Sequence, residues 1–319
     1  MPLTLRRSGH LLGLDGVSRD EIVALLDDAV RLSTVASGRQ PPLDVLRHRT
    51  VANIFFENST RTRCSFALAA RRLGADVLDI MGETTSQSKG ETLLDTCRNL
   101  EAMGVDAFVI RTSASGAPHQ VAARLSKPVI NAGDGRHEHP TQGLLDVMTL
   151  RERLGDLAGR TITIVGDIAN SRVARSALFG LTTMGAHVVL VGPPPLAPAS
   201  MERLPVQDGS IKVLRDLDAV LPASDAVMML RVQFERAAGE AIASVDEYRR
   251  RYGLSPDRVR TLPPHAVILH PGPINRGLEL ESEVADDPAR SVILQQVANG
   301  VAVRMAVLKS LLADDPAGR

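Results

Sequence analysis

Lysine is almost absent. Lys89, Lys127, Lys212 and Lys309 are the whole complement in 319 residues, against 33 arginines. Tryptophan is missing, and two tyrosines with six phenylalanines leave no aromatic platform on which bases could stack. Net charge is lacking as well: 37 basic and 37 acidic residues cancel, which removes the basic footprint of a nucleic-acid binder. An arginine-rich RNA-binding protein is therefore disfavoured. Cys64 and Cys97 cannot make a disulfide framework and suit a reducing, cytoplasmic compartment. Long apolar runs are also missing. The most apolar late stretch, 291–312, is interrupted by Gln295, Gln296, Asn299, Arg304 and Lys309, so it reads as a buried or amphipathic helix and not a membrane span. The first residues hold two arginines but no sustained apolar segment and no small-residue cleavage site, so no targeting signal is expected.

What is present is an alternation of short apolar runs and helical segments. Ser18 caps a helix over 18–36, with Asp20 and Glu21 at its positive end. Strands are expected at 51–56, 75–80, 107–112 and 128–133, with helices at 60–73, 91–103, 117–125 and 140–154. After the Gly155–Gly159 joint the pattern restarts, with strands at 161–167, 187–193, 226–230 and 265–273 and a helix at 172–184. Such alternation implies parallel sheets covered on both faces. The expectation is an α/β chain of two open parallel-sheet domains, residues 1–150 and 151–290. Helix 291–312 packs back on the first, so that the terminal helices lie together.

Sheets of this kind offer the carboxyl ends of their strands to ligands. Nearly every such end here carries arginine or a hydroxyl. Ser59-Thr60-Arg61-Thr62-Arg63 opens a helix, and backbone N–H groups, hydroxyls and a guanidinium fork together suit phosphate. The competing reading is a capped helix with solvated arginines. GxxxxGK[ST] is absent, so a nucleoside triphosphate is not favoured. In His139-Pro140-Thr141-Gln142, His139 and Gln142 fall three apart on one side of a helix start. Imidazole can donate to a carbonyl oxygen, and an amide can accept from an amino group, which fits a carbamoyl group. His137 and His139 lack a matching third ligand, so no metal site is expected. Loop 82–90 is polar and carries Lys89; a plain surface lysine is the ordinary reading. Arg249-Arg250-Arg251 reads as a solvated helix face.

Phe55–Ser65 (FFENSTRTRCS), SKGET at 88–92, HPTQ at 139–142, GDIANSRVARS at 166–176, LRVQ at 230–233 and HPGP at 270–273 together resemble the transcarbamylase family over nearly the whole chain. STRTR and HPTQ are common to the family; LRVQ and HPGP resemble its aspartate branch, whereas the ornithine branch typically has HCLP at the last site. The resemblance departs mildly at Asn170, where close relatives often have His. It implies a carbamoyl-phosphate domain followed by an aspartate domain. It also implies transfer of a carbamoyl group from carbamoyl phosphate to the α-amine of L-aspartate, in pyrimidine synthesis, without a cofactor or metal. By the same resemblance Ser59, Thr60, Arg61 and Thr62 hold the phosphate with Arg111. Thr62, Arg111 and His139 face the carbonyl oxygen. Gln142 and the backbone of Pro271 and Gly272, beside Pro273, take the carbamoyl amine. Arg172, Arg231 and Gln233 take the carboxylates. Ser86 and Lys89 come from the neighbouring subunit of a homotrimer, whose assembly state beyond the trimer stays open. The rival readings are a transcarbamylase for another amine and a non-catalytic homologue; intact Thr62, Arg111, His139 and Gln142 disfavour the second.

Overall fold

The computed structural model describes residues 9–81, 91–232 and 244–313. The chain separates into one unit of Met1–Leu144 with Ala298–Arg319 and a second of Leu145–Val297.

The first unit opens with α1 (Arg19–Ala36), started by a capping box between Ser18 and Glu21. Four strands follow: β1 (Thr50–Phe55), β2 (Asp76–Met81), β3 (Ala107–Thr112) and β4 (Val129–Asp134). All pair in parallel, in the order β2-β1-β3-β4. Helices α2 (Thr60–Arg72), α3 (Leu93–Ala102), α4 (Ala117–Ala122) and α5 (Pro140–Leu154) follow the strands in turn. Ile54, Phe108, Ile110 and Val129 share a core with Cys97 of α3, whose thiol burial pushes up to about 12. The chain lays β2 on one side of β1 and then β3 on the other, a switch point where two carboxyl ends diverge.

The second unit repeats the device. Strands β5 (Thr161–Val165), β6 (His187–Val191), β7 (Ser210–Leu214), β8 (Ala226–Met229) and β9 (Val267–Leu269) are parallel, in the order β7-β6-β5-β8-β9. The switch point lies between β5 and β8. Helix α6 (Arg172–Thr183) follows β5 and α7 (Leu217–Val220) follows β7. Next come α8 (Val245–Tyr252), α9 (Pro256–Val259), α10 (Ser282–Ala285) and α11 (Ile293–Leu312). The later part of α11 belongs to the first unit, where Lys309 meets Asp28 of α1 at 2.9 Å and Arg304 donates to Ser65 of α2 at 2.8 Å. The terminal helices are thus tied together, as expected from the sequence.

Three details differ from the sequence expectation. Strand β7 was not foreseen, because Ser210 to Leu214 alternates exposed and half-buried residues at a sheet edge and offers no apolar run. Strand β5 stops at Val165, since Gly166 takes φ 129° and a Cβ there would meet the Leu230 carbonyl oxygen at 2.9 Å. Strand β9 ends at Leu269, and His270 to Pro273 leaves the sheet.

The two halves share an anchor that no sequence repeat announces. Asp106 accepts from Thr50 N–H at 2.9 Å and pairs with Arg49; Asp225 accepts from Thr161 N–H at 2.9 Å and pairs with Arg160. Each ties the entrance of the first strand to that of its switch-point neighbour. Burial opposes ionisation of Asp225, but the Thr161 N–H, His265 and Arg160 outweigh it and hold the carboxyl below its usual range. Asp225→Ala is expected to cost about 1.5–3 kcal/mol at pH 7, mostly through the stranded N–H. A depressed folded pKa means this contribution is present above about pH 4 and is lost as pH falls through the folded value. Only the ionised carboxylate's share is lost this way, since the protonated carboxyl can still accept from Thr161, so the thermal midpoints of wild type and variant should draw closer in acid. Equal midpoints at pH 7 would refute the anchor.

Candidate active site

At the first unit's switch point, β1 ends beside β3, with Phe55 opposite Arg111 and Phe56 N–H donating to the Arg111 carbonyl at 2.9 Å. Serine and threonine residues before other helices behave as caps. Ser18, Thr92, Ser171, Ser244 and Ser255 each accept from their helix's first-turn N–H groups. Ser59 precedes α2 but makes no such bond. The first-turn donors of α2 are therefore left to other acceptors, which favours the anion site over the capped-helix reading. Thr62 is buried, and Arg61 is exposed on the same turn. Crowding by protein atoms draws the Arg61 guanidinium below its ordinary value, yet that value is so high that it stays a cation. Arg111 is held from two sides: it donates to the Ala132 carbonyl at 3.2 Å and to Glu57 Oε1 at 2.9 Å.

Strand β4 leads into α5 through a turn built on Asp134. Its Oδ1 accepts from Asn131 Nδ2 at 2.8 Å and Glu138 N–H at 3.0 Å; its Oδ2 accepts from Gly116 N–H at 2.7 Å and faces His137 Nδ1 at 3.1 Å. Glu138, also buried, accepts from Leu14 N–H at 2.8 Å. This fixed turn delivers His139, buried, and Gln142, half-buried, to the start of α5, where Gln142 N–H donates to the His139 carbonyl at 2.9 Å. The ligand atoms of His119, Asp134 and His137 lie within 4.8 Å of one another, a spacing a metal could bridge. Three of the carboxylate's roughly four acceptor sites are taken by the N–H groups that shape the turn, and His137 faces the remaining one. Burial, and then the His137 charge, pull His119 below its ordinary pKa.

The second unit places arginines at the corresponding edge. Met229 pairs with Val165, and Leu230 N–H donates to the Val165 carbonyl at 2.8 Å, so Arg231 emerges where β5 turns off at Gly166. Asp167 accepts from Asn170 through backbone and side chain, closing the turn that sets Arg172 at the first position of α6. Arg172 and Arg231 are both half-buried. Beyond β9, His270 Nδ1 accepts from Gly272 N–H at 2.7 Å, which curls Pro271 to Pro273 into a tight turn. Arg249, in the arginine triple of α8, pairs with Glu281 at 2.7 Å.

Ser86, Lys89 and Gln233 fall outside the described residues. Ser59, Thr60, Arg61, Thr62, Arg111, His139 and Gln142 all lie at strand ends of the first unit. Arg172, Arg231, Pro271, Gly272 and Pro273 lie at those of the second. Sequence reasoning missed the acids that orient them: Glu57 for Arg111, Asp134 and Glu138 for His139, Asp167 for Arg172. Each sits within three residues of a strand's last residue or beside a motif, and an acid next to a cationic or imidazole motif was the available signal.

A family model described as aspartate/ornithine carbamoyltransferase, carbamoyl-P binding domain, matches residues 9–152; its Asp/Orn binding domain counterpart matches residues 158–311. The aspartate carbamoyltransferase catalytic subunit of Salinispora tropica is 54% identical over 303 residues, covering 95% of this chain and 97% of that protein. The crystal structure of aspartate transcarbamoylase from Trypanosoma cruzi with carbamoyl phosphate matches with a TM-score of 0.88 at 31% identity, covering 98% of each chain. Ornithine carbamoyltransferase from Pyrococcus furiosus matches with a TM-score of 0.84 at 28% identity, covering 96% of this chain and 97% of that one.

Proposed function

The chain belongs to the aspartate/ornithine carbamoyltransferase family, and from that premise we propose that it transfers the carbamoyl group of carbamoyl phosphate to the α-amine of L-aspartate. The products are N-carbamoyl-L-aspartate and phosphate, in the synthesis of pyrimidine nucleotides. The observation that carries the proposal is the uncapped first turn of α2, which follows β1 at a switch point where β1's last residue, Phe55, pairs with Arg111. The 54% identity to a protein of that name chooses aspartate over ornithine.

In this reading Ser59, Thr60, Arg61 and Thr62 bind the phosphate together with Arg111. Thr62, Arg111 and His139 donate to the carbonyl oxygen. Gln142 and the carbonyls of Pro271 and Gly272, with Pro273 beside them, accept from the carbamoyl NH2. Arg172, Arg231 and Gln233 hold the two carboxylates. A dianionic phosphate and a dicarboxylate repel, so much of the protein's task is neutralisation and orientation; orientation alone can lower a barrier by several kcal/mol. The amine nitrogen attacks the carbamoyl carbon, and the carbonyl oxygen becomes an oxyanion. Donors aimed at that oxygen stabilise it as charge grows, each contributing about 10²–10³ in rate. Collapse breaks the carbon–oxygen bond to phosphate, and the departing phosphate takes the amine proton. No covalent protein intermediate is required.

The active unit is a homotrimer in which Ser86 and Lys89 complete a neighbour's site. The protein works in the cytoplasm; among the described residues no helix is long and apolar enough to cross a membrane. Steady-state assays with aspartate and ornithine side by side test the function. Carbamoyl-aspartate and phosphate should appear in equal amounts with aspartate, and ornithine should not turn over. Turnover of ornithine alone would overturn the proposal.

A further inference from the structure

We infer that Glu279 and His270 are positioning residues for this reaction. They form a buried carboxylate–imidazole pair that sets the Pro271–Pro273 turn and, through Asn275, the chain at Arg231. The inference rests on the proposed roles of that turn and of Arg231.

Both side chains are fully buried, with His270 Nε2 at 3.2 Å from Glu279 Oε1. The bonds around them fix the ring's tautomer. Gly272 N–H can only donate, and it points at His270 Nδ1 at 2.7 Å, so Nδ1 must be bare. The ring proton then sits on Nε2 and is donated to Glu279. The carboxylate thus holds the imidazole in the one neutral form that can accept from Gly272. This is the logic by which a buried acid orients a histidine in many sites.

Glu279 Oε1 has a second role. It accepts from Asn275 N–H at 2.6 Å, and Asn275 Nδ2 donates to the Val232 carbonyl at 3.3 Å. Val232 is the residue after Arg231. One carboxylate oxygen therefore anchors both the turn proposed to take the carbamoyl amine and the segment proposed to take a carboxylate. His270 is fixed from its other side as well. Its N–H donates to Gln296 Oε1 at 2.9 Å, and Gln296 Nε2 donates to Asp146 Oδ1 at 2.8 Å.

Stability alone is a poor reason for this pair. A buried carboxylate carries a large desolvation cost, and apolar residues of equal volume often replace buried ion pairs without loss. Glu279 Oε2 is buried and makes no hydrogen bond among the described residues, which raises the cost further. What an apolar replacement cannot supply is the acceptor set that aims the turn.

Kinetics and NMR of the full-length enzyme test the inference. Glu279→Met, which removes the acceptor that Glu279→Gln would keep, and His270→Phe should lower kcat by about 10–100-fold and raise KM for aspartate, as loss of an orienting partner does. In His270→Asn the amide oxygen can stand where Nδ1 stood, because Asn accepts readily from the N–H two residues on. It should recover at least about tenfold of the His270→Phe loss, although it fills the buried space worse. Wild-type kinetics in Glu279→Met and His270→Phe would overturn the inference, as would a His270→Asn enzyme no faster than His270→Phe. If those variants do not fold, the wild type decides: 15N spectra of histidine-labelled enzyme should show His270 protonated at Nε2 and bare at Nδ1, and the reverse tautomer would overturn it. A wild type that makes no carbamoyl-aspartate would sink the proposed function; an active wild type with the wrong tautomer sinks this inference alone.

Discussion

Arg61→Ala is expected to lower kcat/KM for carbamoyl transfer by about 10²–10³-fold, the scale of losing one donor aimed at a group that takes up charge in the reaction. Arg111 is held by Glu57 and the Ala132 carbonyl, so its removal would disturb structure and chemistry together. Arg61 instead stands exposed on the first turn of α2, beside a serine that does not cap the helix. Its loss should change stability by no more than about 0.5 kcal/mol. A large kinetic effect with an unchanged melting temperature would place its role in the site. Mixing Arg61→Ala with Lys89→Ala sharpens the result. If Lys89 completes a neighbour's site, some subunit pairs in mixed trimers carry both wild-type residues at one site, and activity returns. No recovery after verified subunit exchange would refute the shared site, and an Arg61→Ala enzyme within tenfold of wild type would refute the phosphate role.

Parallel strands buried on both faces are short apolar runs, and so β1, β3 and β4 were legible almost to the residue: 51–56 against Thr50–Phe55, and 107–112 against Ala107–Thr112. Strand β7 was not, because Ser210, Lys212 and Leu214 are exposed and only its pairing with β6 makes it a strand. Helix α8 was legible only as a solvated arginine face, and its bounds were not. It buries only Tyr248 and Tyr252, one turn apart, among charged residues. The arginines and hydroxyls proposed for the site stand after strand ends, where such sheets bind ligands, and that placement was legible in the sequence. The acids behind them were harder to read. Asp225 and Asp106 look like ordinary surface acids, yet each satisfies a strand's first N–H. Glu279 stands nine residues after His270, beyond the HPGP motif, and only the turn back from β9 brings the two together. A tautomer fixed by three-dimensional neighbours leaves no trace in local pattern.

Arg231→Ala is expected to raise KM for aspartate by about 10²–10³-fold, because truncating one partner of a close charge pair costs about 3–4 kcal/mol. The choice of Arg231 over Arg172 follows from their supports. Arg172 begins α6 and so bears on a helix start, whereas Arg231 follows the end of β8, in a segment tethered by Asn275. Removing its side chain leaves the backbone bonds of that segment intact. Carbamoyl phosphate is proposed to bind chiefly through residues of the first unit, so its affinity, measured by calorimetry without aspartate, should change by less than about threefold. Arg231→Lys should recover only part of the loss, since an ammonium carries the charge but not the planar fork that meets a carboxylate with two bonds. If aspartate KM holds steady in Arg231→Ala, or if carbamoyl phosphate affinity falls with it, the arginine does not act on the second substrate.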